Sequence, residues 1–586
     1  MADDQKQRGL IAELRRRSVI KVAVAYLLIS WVLLQIADVL FPALTLPDWT
    51  IRLVAGLLIL GFPPVLFFAW AFEITPEGLK RDTGAPRASA SATRKKLNFA
   101  VIALLLLAIV VFALTNQMRP QEVPDPMARP SPDVAPVEKS IAVLPFLNMS
   151  DDPANEHFSD GMSEELLNLL AKIPDLKVIG RGSSFQFKGK NKDLRDVGQQ
   201  LGVANILDGS VRKSGDMVRV TAQLISASDG SSIWSESFNR SLDDIFAVQD
   251  EIAHSVVDAL KITLLNGVVA ERTPPNSSEA YDLYLRGNYL SSQLGESRLD
   301  QAREYYNQAV TLDPELAPAW LGLGAVTINE ILSDVRSREE GLPDAMAMLE
   351  RALELDPNLS DAYYMVGFIN MAFNWDFSAA ETAFRRALEI EPNSAPALSG
   401  MGLLMIALNR PEEAIEYQQR SLEIDPLRPT SHHNLGYVAY HGHQFMLSEE
   451  SFRTALELSD DYPRGHYYIG VALFAQGRAD EACAEFGVDS SQVYRLAGLA
   501  LCNTVNGMAE QADAALAELM DQHADEAAFL VAEALAKRDR NDEAFEWLQR
   551  SVTQREPNAI LIHSSPFLTD LQSDPRYHRL YKAIGF

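Results

Sequence analysis

The chain of 586 residues contains two cysteines, Cys483 and Cys502. Two cysteines cannot build a disulfide framework or a cysteine-rich zinc module. They fall in neighbouring helical units, so a single bond between them is geometrically conceivable. We favour the alternative of two small buried side chains, because cysteine often acts as a core residue.

Catalytic signatures are missing as well. There is no Gly-x-Ser-x-Gly elbow, no Walker motif and no kinase signature. The histidines His432, His433, His441 and His443 are the only cluster of their kind, and no carboxylate stands between them as in a zinc-binding His-Glu-x-x-His helix. The sequence therefore predicts that the chain is not an enzyme, with no catalytic residues, no cofactor and no metal.

Basic charge is scarce beyond the first 120 residues. Residues 1–120 hold 14 Lys and Arg against 8 Asp and Glu, whereas the whole chain carries a net charge of −27. An acidic body of this kind repels nucleic-acid phosphates, which need a basic footprint. We therefore expect no nucleic-acid partner.

Long apolar runs are confined to the first 115 residues, at about 19–41, 51–72 and 97–114. Each approaches the roughly 20 residues that a helix needs to cross a bilayer. The sequence therefore predicts a three-helix transmembrane module over residues 19–115, with the lipid bilayer as a partner. A buried soluble helix is the alternative for the first two runs.

The Lys and Arg residues indicate an orientation for this module. They are concentrated in the tail at residues 1–18 and in the loop Lys80–Lys96, while the link between the first two runs has none. The positive-inside rule places the tail and that loop in the cytoplasm. We therefore predict a multi-pass protein of a bacterial inner membrane with its C-terminal region in the periplasm.

After a proline-rich linker at 116–138, the pattern changes to alternating strands and helices. Strands are predicted at 141–146, 176–180, 204–213, 218–226 and 232–239, and helices at about 164–173 and 245–265. The residues from 139 to 266 therefore predict an α+β domain.

This domain resembles the N-terminal domain of the TolB/FlgO-like group. The matching stretches are IAVLPFLNMSDDPANEHFSDGMSEELLNLL, VIGRGSSFQFKGK, LGVANILDGSVRKSGDMVRVTAQLISASDGSSIWSESFNR and DIFAVQDEIA. The arrangement is also similar to bacterial membrane proteins in which this domain precedes tetratricopeptide repeats. Some of those relatives carry a cytoplasmic winged helix or a nucleotide cyclase domain, and neither is expected here.

A period of 34 residues dominates residues 278–560. Small residues recur at spacings of 35, 34 and 34 residues at Gly367, Gly402, Gly436 and Gly470. This period is that of the tetratricopeptide helix–turn–helix. We predict an all-α solenoid of about eight units over 278–560, closed by a capping helix within 561–586.

The first helix of each pair is expected to line the inner face of such a solenoid. Aromatic residues are enriched at protein-binding hot spots. The positions that should face the groove supply the predicted protein-binding residues Tyr364, Phe368, Met371, His433, Tyr437, Tyr440, His441, Tyr467 and Phe474. Packing of some of these side chains between helices is the alternative.

Together these features predict a membrane-anchored scaffold that binds a protein or peptide through periplasmic repeats. The alternative is a transmembrane signal transducer that couples ligand binding outside to a cytoplasmic partner. The oligomeric state does not follow from the sequence.

Overall fold

The computed structural model describes residues 137–586, with gaps at 174–175, 191, 216, 261–275, 294–295, 334 and 461. Nearer the N-terminus it describes only a few isolated positions and the strands β1 (Phe72–Thr75) and β2 (Gly78–Arg81), which pair as an antiparallel hairpin. Residues 1–130 and 131–586 form separate compact units.

The described residues contradict the prediction of a transmembrane module. Among them, no helix has both the length and the apolar character that crossing a bilayer requires. The described helix of eighteen residues, Arg338–Leu355, carries charged side chains along its length. This finding does not support the predicted multi-pass location in an inner membrane or the predicted periplasmic placement. It also does not support the alternative of a transmembrane signal transducer. The predicted tail, linker and membrane spans themselves lie outside the described residues, apart from isolated positions.

The α/β region is built on a mixed six-stranded sheet. Its strands are β3 (Val137–Val143), β4 (Leu147–Asn148), β5 (Lys177–Val178), β6 (Val203–Ser214), β7 (Met217–Ser226) and β8 (Ser232–Ser241). The order is β5-β3-β6-β7-β8, with β4 also beside β6. β3 pairs in parallel with β5 and with β6, and β4 also pairs in parallel with β6, whereas β6, β7 and β8 form an antiparallel meander. The long strands coincide with those that the sequence predicts.

Alternation along β7 decides which face of the sheet is buried. Val218, Val220, Ala222 and Leu224 are buried, while the residues between them are more exposed up to the end of the strand. The buried side chains pack against helices that cross one face, α1 (Glu156–Ala171) and α4 (Ile245–Ala259). Two shorter helices, α2 (Arg181–Ser184) and α3 (Leu194–Leu201), lie between them in the chain.

Residues 278–553 form eight consecutive helix pairs. The first helices are α5 (Ser278–Ser291), α7 (Ala317–Leu332), α9 (Ser360–Ile369), α11 (Ala395–Ala407), α13 (Pro429–His441), α15 (Gly465–Ala475), α17 (Gln492–Val505) and α19 (Ala528–Ala536). The second helices are α6 (Glu296–Leu312), α8 (Arg338–Leu355), α10 (Phe377–Ile390), α12 (Pro411–Ile424), α14 (Phe445–Leu458), α16 (Ala479–Val488), α18 (Ala509–Gln522) and α20 (Asn541–Thr553). A final helix, α21, spans Pro575–Ile584.

Glycine and aromatic residues explain the 34-residue period. The ring of Phe384 on α10 lies between Gly367 of α9 and Gly400 of α11, and a Cβ at either glycine would come within 2.6 Å of that ring. Phe486 of α16 lies in the same way between Gly470 and Gly498. At these two places one helix pair therefore packs against the next through one ring and two residues without side chains.

Polar contacts join the α/β region to the solenoid. Asp282 of α5 accepts from Lys213 of β6 (2.6 Å) and from His157 of α1 (3.2 Å). Burial alone would raise the pKa of Asp282, but these donors hold it well below its usual value. Farther along, Ser183 donates to Asp425, at the end of the fourth helix pair. The α/β region therefore packs along the first half of the repeats.

A disulfide links Cys483 of α16 to Cys502 of α17. The expectation of two separate buried thiols is therefore wrong, although Cys502 is indeed buried. The bond joins two successive helix pairs across a sequence separation of 19 residues.

Candidate protein-binding site

The chain from residue 555 to 586, here called the C-terminal segment, runs along the inner side of the solenoid. It begins with a short 3-10 helix at Pro557–Leu561 and ends in α21. Tyr437 of α13 donates to Asn558 (3.2 Å), and Ser564 pairs with His441 (3.1 Å). The segment therefore packs against first helices that precede it by more than a hundred residues.

The C-terminal segment also reaches back to the second and third helix pairs. Arg338 of α8 donates to the carbonyl oxygen of Arg555 (3.1 Å), and Arg555 donates to the carbonyl oxygen of Phe373 (2.9 Å). The ring of Phe586 stacks on Phe377 with centroids 4.7 Å apart. These contacts bridge early and late repeats.

The centre of the C-terminal segment is deeply buried. Ile562, Ser565 and Leu568 are almost fully enclosed. Ser565 donates to Glu533 of α19. Burial raises the pKa of Glu533 from its usual 4.5 to about 8, and the nearby carboxylate of Glu556 adds to the effect of burial. Because this centre is so enclosed, the segment is part of the core in the second half of the solenoid.

The predicted groove residues separate into three groups. Tyr440, His441 and Phe474 face the C-terminal segment, where Phe474 meets the ring of Phe567 at 5.7 Å. Three others pack between helices: Tyr364 on Phe384, Tyr467 on Phe486 and Tyr494, and His433 among several aromatic rings. Burial lowers the pKa of both His433 and His441 to about 3, which keeps these imidazoles neutral near pH 7.

The remaining three predicted residues line a cavity. Phe368, Met371 and Tyr437 meet there between α7, α9, α11 and the start of the C-terminal segment. The cavity has a volume of about 320 Å³. Protein interiors seldom leave voids much larger than a water molecule, whereas ligand sites begin at roughly 300 Å³. This volume is therefore that of a small binding pocket.

The lining of the cavity is apolar with three polar side chains. The polar groups are those of Arg338, Tyr437 and Asn558, and the apolar ones are Ile331, Leu332, Phe368, Met371, Ala372, Phe373, Leu403, Ile406, Pro557, Ile560 and Leu561. Leu332 is 54% exposed, so the cavity reaches the surface at the end of α7. Arg338, Leu332 and Asn558 were not among the residues predicted from the sequence.

Comparison with known proteins identifies the helical array. Models of the tetratricopeptide repeat match residues 284–316, 374–429 and 433–487. The chain contains tetratricopeptide repeats. Among solved structures, PilF of Pseudomonas aeruginosa is similar, with 19% identity over 36% of this chain and 93% of that chain and a TM-score of 0.30. The type IV pilus biogenesis factor PilW is also similar, with 22% identity over 34% of this chain and 93% of that chain and a TM-score of 0.30.

Two curated relatives match part of this tetratricopeptide-repeat chain. A protein of Rhizobium meliloti named "Putative adenylate cyclase 3" is 35% identical over 260 residues, which is 44% of each chain. The peroxisomal targeting signal receptor of Komagataella phaffii is 23% identical over 214 residues, 35% of each. The chain thus spans less than half the length of these relatives. The name of the first contradicts the prediction that the chain is not an enzyme.

Proposed function

We propose that the solenoid is a protein-interaction scaffold and that its partner inserts an apolar side chain into the cavity beside Phe368 and Leu403. The observation that carries this proposal is the open apolar volume of about 320 Å³ on the inner side of the repeats. Buried apolar anchors supply most of the energy in protein interfaces, and a volume of this size accommodates an aromatic or long aliphatic side chain.

The polar groups of the cavity favour a peptide as the occupant. The guanidinium of Arg338 donates to carbonyl oxygens of residues 554 and 555 through one nitrogen, and its other nitrogens have no hydrogen-bond partner among the described residues. Those nitrogens are free to donate to a backbone carbonyl or a carboxylate of the partner. The C-terminal segment supports the same idea, because it is itself a stretch of chain bound to the inner side of the repeats.

The role of the α/β region follows from its position. We infer that it is a TolB/FlgO-like domain, which is supported by the sequence stretches quoted above and by the mixed sheet with α1 and α4 on one face. Its contacts at Asp282 and Asp425 hold the first half of the repeats, which includes helices that line the cavity. It would therefore fix the orientation of the helices that line the site.

Photo-crosslinking and a cavity-filling variant test the scaffold proposal. A photoreactive amino acid at Leu332, at the mouth of the cavity, should capture one partner in cells. The purified partner should then bind the chain, and Leu403→Trp should weaken that binding at least tenfold because the indole occupies the cavity. Met446→Trp is the matched control, since Met446 is an exposed residue of α14 and does not line the cavity.

Two outcomes would count against this site. One is equal capture of the same partner from a photoreactive residue at Met446. The other is unchanged affinity of the Leu403→Trp variant when its circular dichroism and melting temperature match those of the unmodified chain.

A second candidate function is the formation of cyclic AMP, which is favoured by the name of the Rhizobium relative. In this reaction the ribose 3′-hydroxyl of ATP attacks the α-phosphorus and pyrophosphate leaves. The test is to incubate the purified chain with ATP and Mg²⁺ and to quantify cyclic AMP and pyrophosphate against a heat-inactivated sample. Release of both products in equal amounts would support a cyclase, and their absence at micromolar protein would exclude this candidate.

A further inference from the structure

The outer edge of β8 has no pairing partner within the described part of the chain. Ser232–Ser241 pairs with β7 along one side, and no described backbone group outside the sheet hydrogen-bonds to it. The strand is ten residues long, whereas β5, at the other end of the strand order, has only two residues. A long open edge presents a row of unpaired N–H and C=O groups that fit another strand.

The sequence of β8 does little to prevent such pairing. It contains no proline and no lysine, the residues that commonly protect edges. Its pairing with β7 is irregular only near Ile225, so the stretch from Trp234 to Ser241 is a regular strand. Ile233 is 43% exposed. The open edge is therefore competent to extend the sheet.

We propose that β8 pairs with β8 of a second copy of this chain, antiparallel and about a two-fold axis at Phe238. In this register Phe238 lies opposite Phe238 of the second copy. Glu236 lies opposite Arg240 of the second copy, and Arg240 lies opposite its Glu236. Directly opposite residues of antiparallel strands share a face and stand about 5 Å apart, so that both pairs of opposite charges meet.

Self-complementarity is the reason for choosing a second copy as the occupant. Glu236 and Arg240 stand two residues on either side of Phe238, and both are exposed. Shifting the register by two residues in either direction removes both charge pairs. Only this alignment therefore makes the strand complementary to itself, and two-fold pairing is the commonest symmetry of soluble oligomers.

The contacts of α4 are compatible with this arrangement. Arg240 meets Glu251 of α4 at 3.3 Å, but both side chains are more than 40% exposed. Exposed pairs of this kind are weak and screened by solvent, so the guanidinium can turn towards the second copy. In this register the face of the sheet that carries α4 in one copy continues into the same face of the second copy. The two α4 helices therefore lie on the same side of the combined sheet.

Charge exchange on the full chain tests the proposal. Analytical ultracentrifugation should show a dimer of about twice 64.8 kDa. Each of Glu236→Arg and Arg240→Glu should raise the dimer dissociation constant at least tenfold, about 1.4 kcal/mol, because like charges then oppose each other. The double variant E236R/R240E should return to within threefold of the unmodified chain. Arg219→Glu, on β7 and away from the edge, is the control and should leave the constant unchanged.

Crosslinking gives a second readout that does not depend on charge. Residues 237 and 239 of the two copies are opposite each other in this register, so S237C/N239C should form an intermolecular disulfide. A monomer at all concentrations, a double variant as weak as the single ones, or pairing of β8 with a strand of another protein would overturn the proposal. None of these results bears on the cavity beside Leu403.

Discussion

Replacing Glu533 by Gln should remove a pH dependence of stability that the buried carboxyl group imposes. Glu533 accepts a hydrogen bond from Ser565 and lies in a pocket walled by tyrosines, including Tyr440 and Tyr467. Burial is the larger cause that raises the pKa of Glu533 from 4.5 to about 8, and the negative charge of Glu556 also raises it. Gln keeps an oxygen that accepts from Ser565 and carries no charge at any pH.

The sign and size of the effect follow from proton linkage. Below pH 4.5 the carboxyl group is protonated in both the folded and the unfolded chain. Between pH 4.5 and 8 the folded chain keeps a proton that the unfolded chain has lost, so stability falls as the pH rises. One pH unit corresponds to about 1.4 kcal/mol at most, so the free energy of unfolding should fall by roughly 2–3 kcal/mol between pH 5 and pH 7 because of this group.

Urea denaturation at several pH values measures this difference. The stability of Glu533→Gln minus that of the unmodified chain should increase by roughly 2–3 kcal/mol from pH 5 to pH 7 and level off above about pH 8. The control is Glu543→Gln, a half-exposed residue of α20 whose pKa is lowered by Arg540. The stability of Glu543→Gln minus that of the unmodified chain should not change between pH 5 and pH 7. If the corresponding difference for Glu533→Gln did not change with pH either, the reasoning would be refuted.

Other substitutions test the packing directly. Phe384→Ala should destabilise the third and fourth helix pairs by about 3–5 kcal/mol in thermal denaturation, because the ring fills the space between Gly367 and Gly400. Replacing Cys483 and Cys502 by Ser should lower the free energy of unfolding by about 3 kcal/mol, since a bond across 19 residues restricts the unfolded chain, and equal stability with and without a reductant would contradict this.

The repeats were predictable because their determinants are local. The spacing of Gly367, Gly402, Gly436 and Gly470 reflects a contact that the two helices of each of these pairs make with each other. The long strands of the α/β region follow equally from alternation, as in Val218, Val220 and Ala222 of β7. Periodicity of this kind is a property of neighbouring residues, and it is visible in a single sequence.

The occupied inner face was not predictable by the same means. The pair Ser564–His441 spans 123 residues, and the pair Arg555–Phe373 spans 182. Such contacts depend on how the whole array of pairs curves, which no local pattern encodes. The period placed Tyr440 and His441 on the inner side, but it could not reveal that the C-terminal segment covers them. Arg338 was missed because it lies on a second helix.

The prediction of membrane spans is corrected on the helices that the structure describes, none of which is long and apolar enough to cross a bilayer. Apolar content along 19–41, 51–72 and 97–114 was the only basis for that prediction, and no described helix supports it. The pairing of Cys483 with Cys502 likewise depends on how successive repeats stack, so that the sequence left both alternatives open.

Hydrogen–deuterium exchange with the crosslinked partner tests the central claim most directly. Binding at the cavity should slow exchange in the helices that line it, at residues 328–332 of α7, 366–373 at the end of α9 and just beyond it, and 401–406 of α11. Exchange in the exposed second helices α14 and α16 should not change. Protection confined to α14 and α16, or to the α/β region, with none at residues 366–373, would contradict the account.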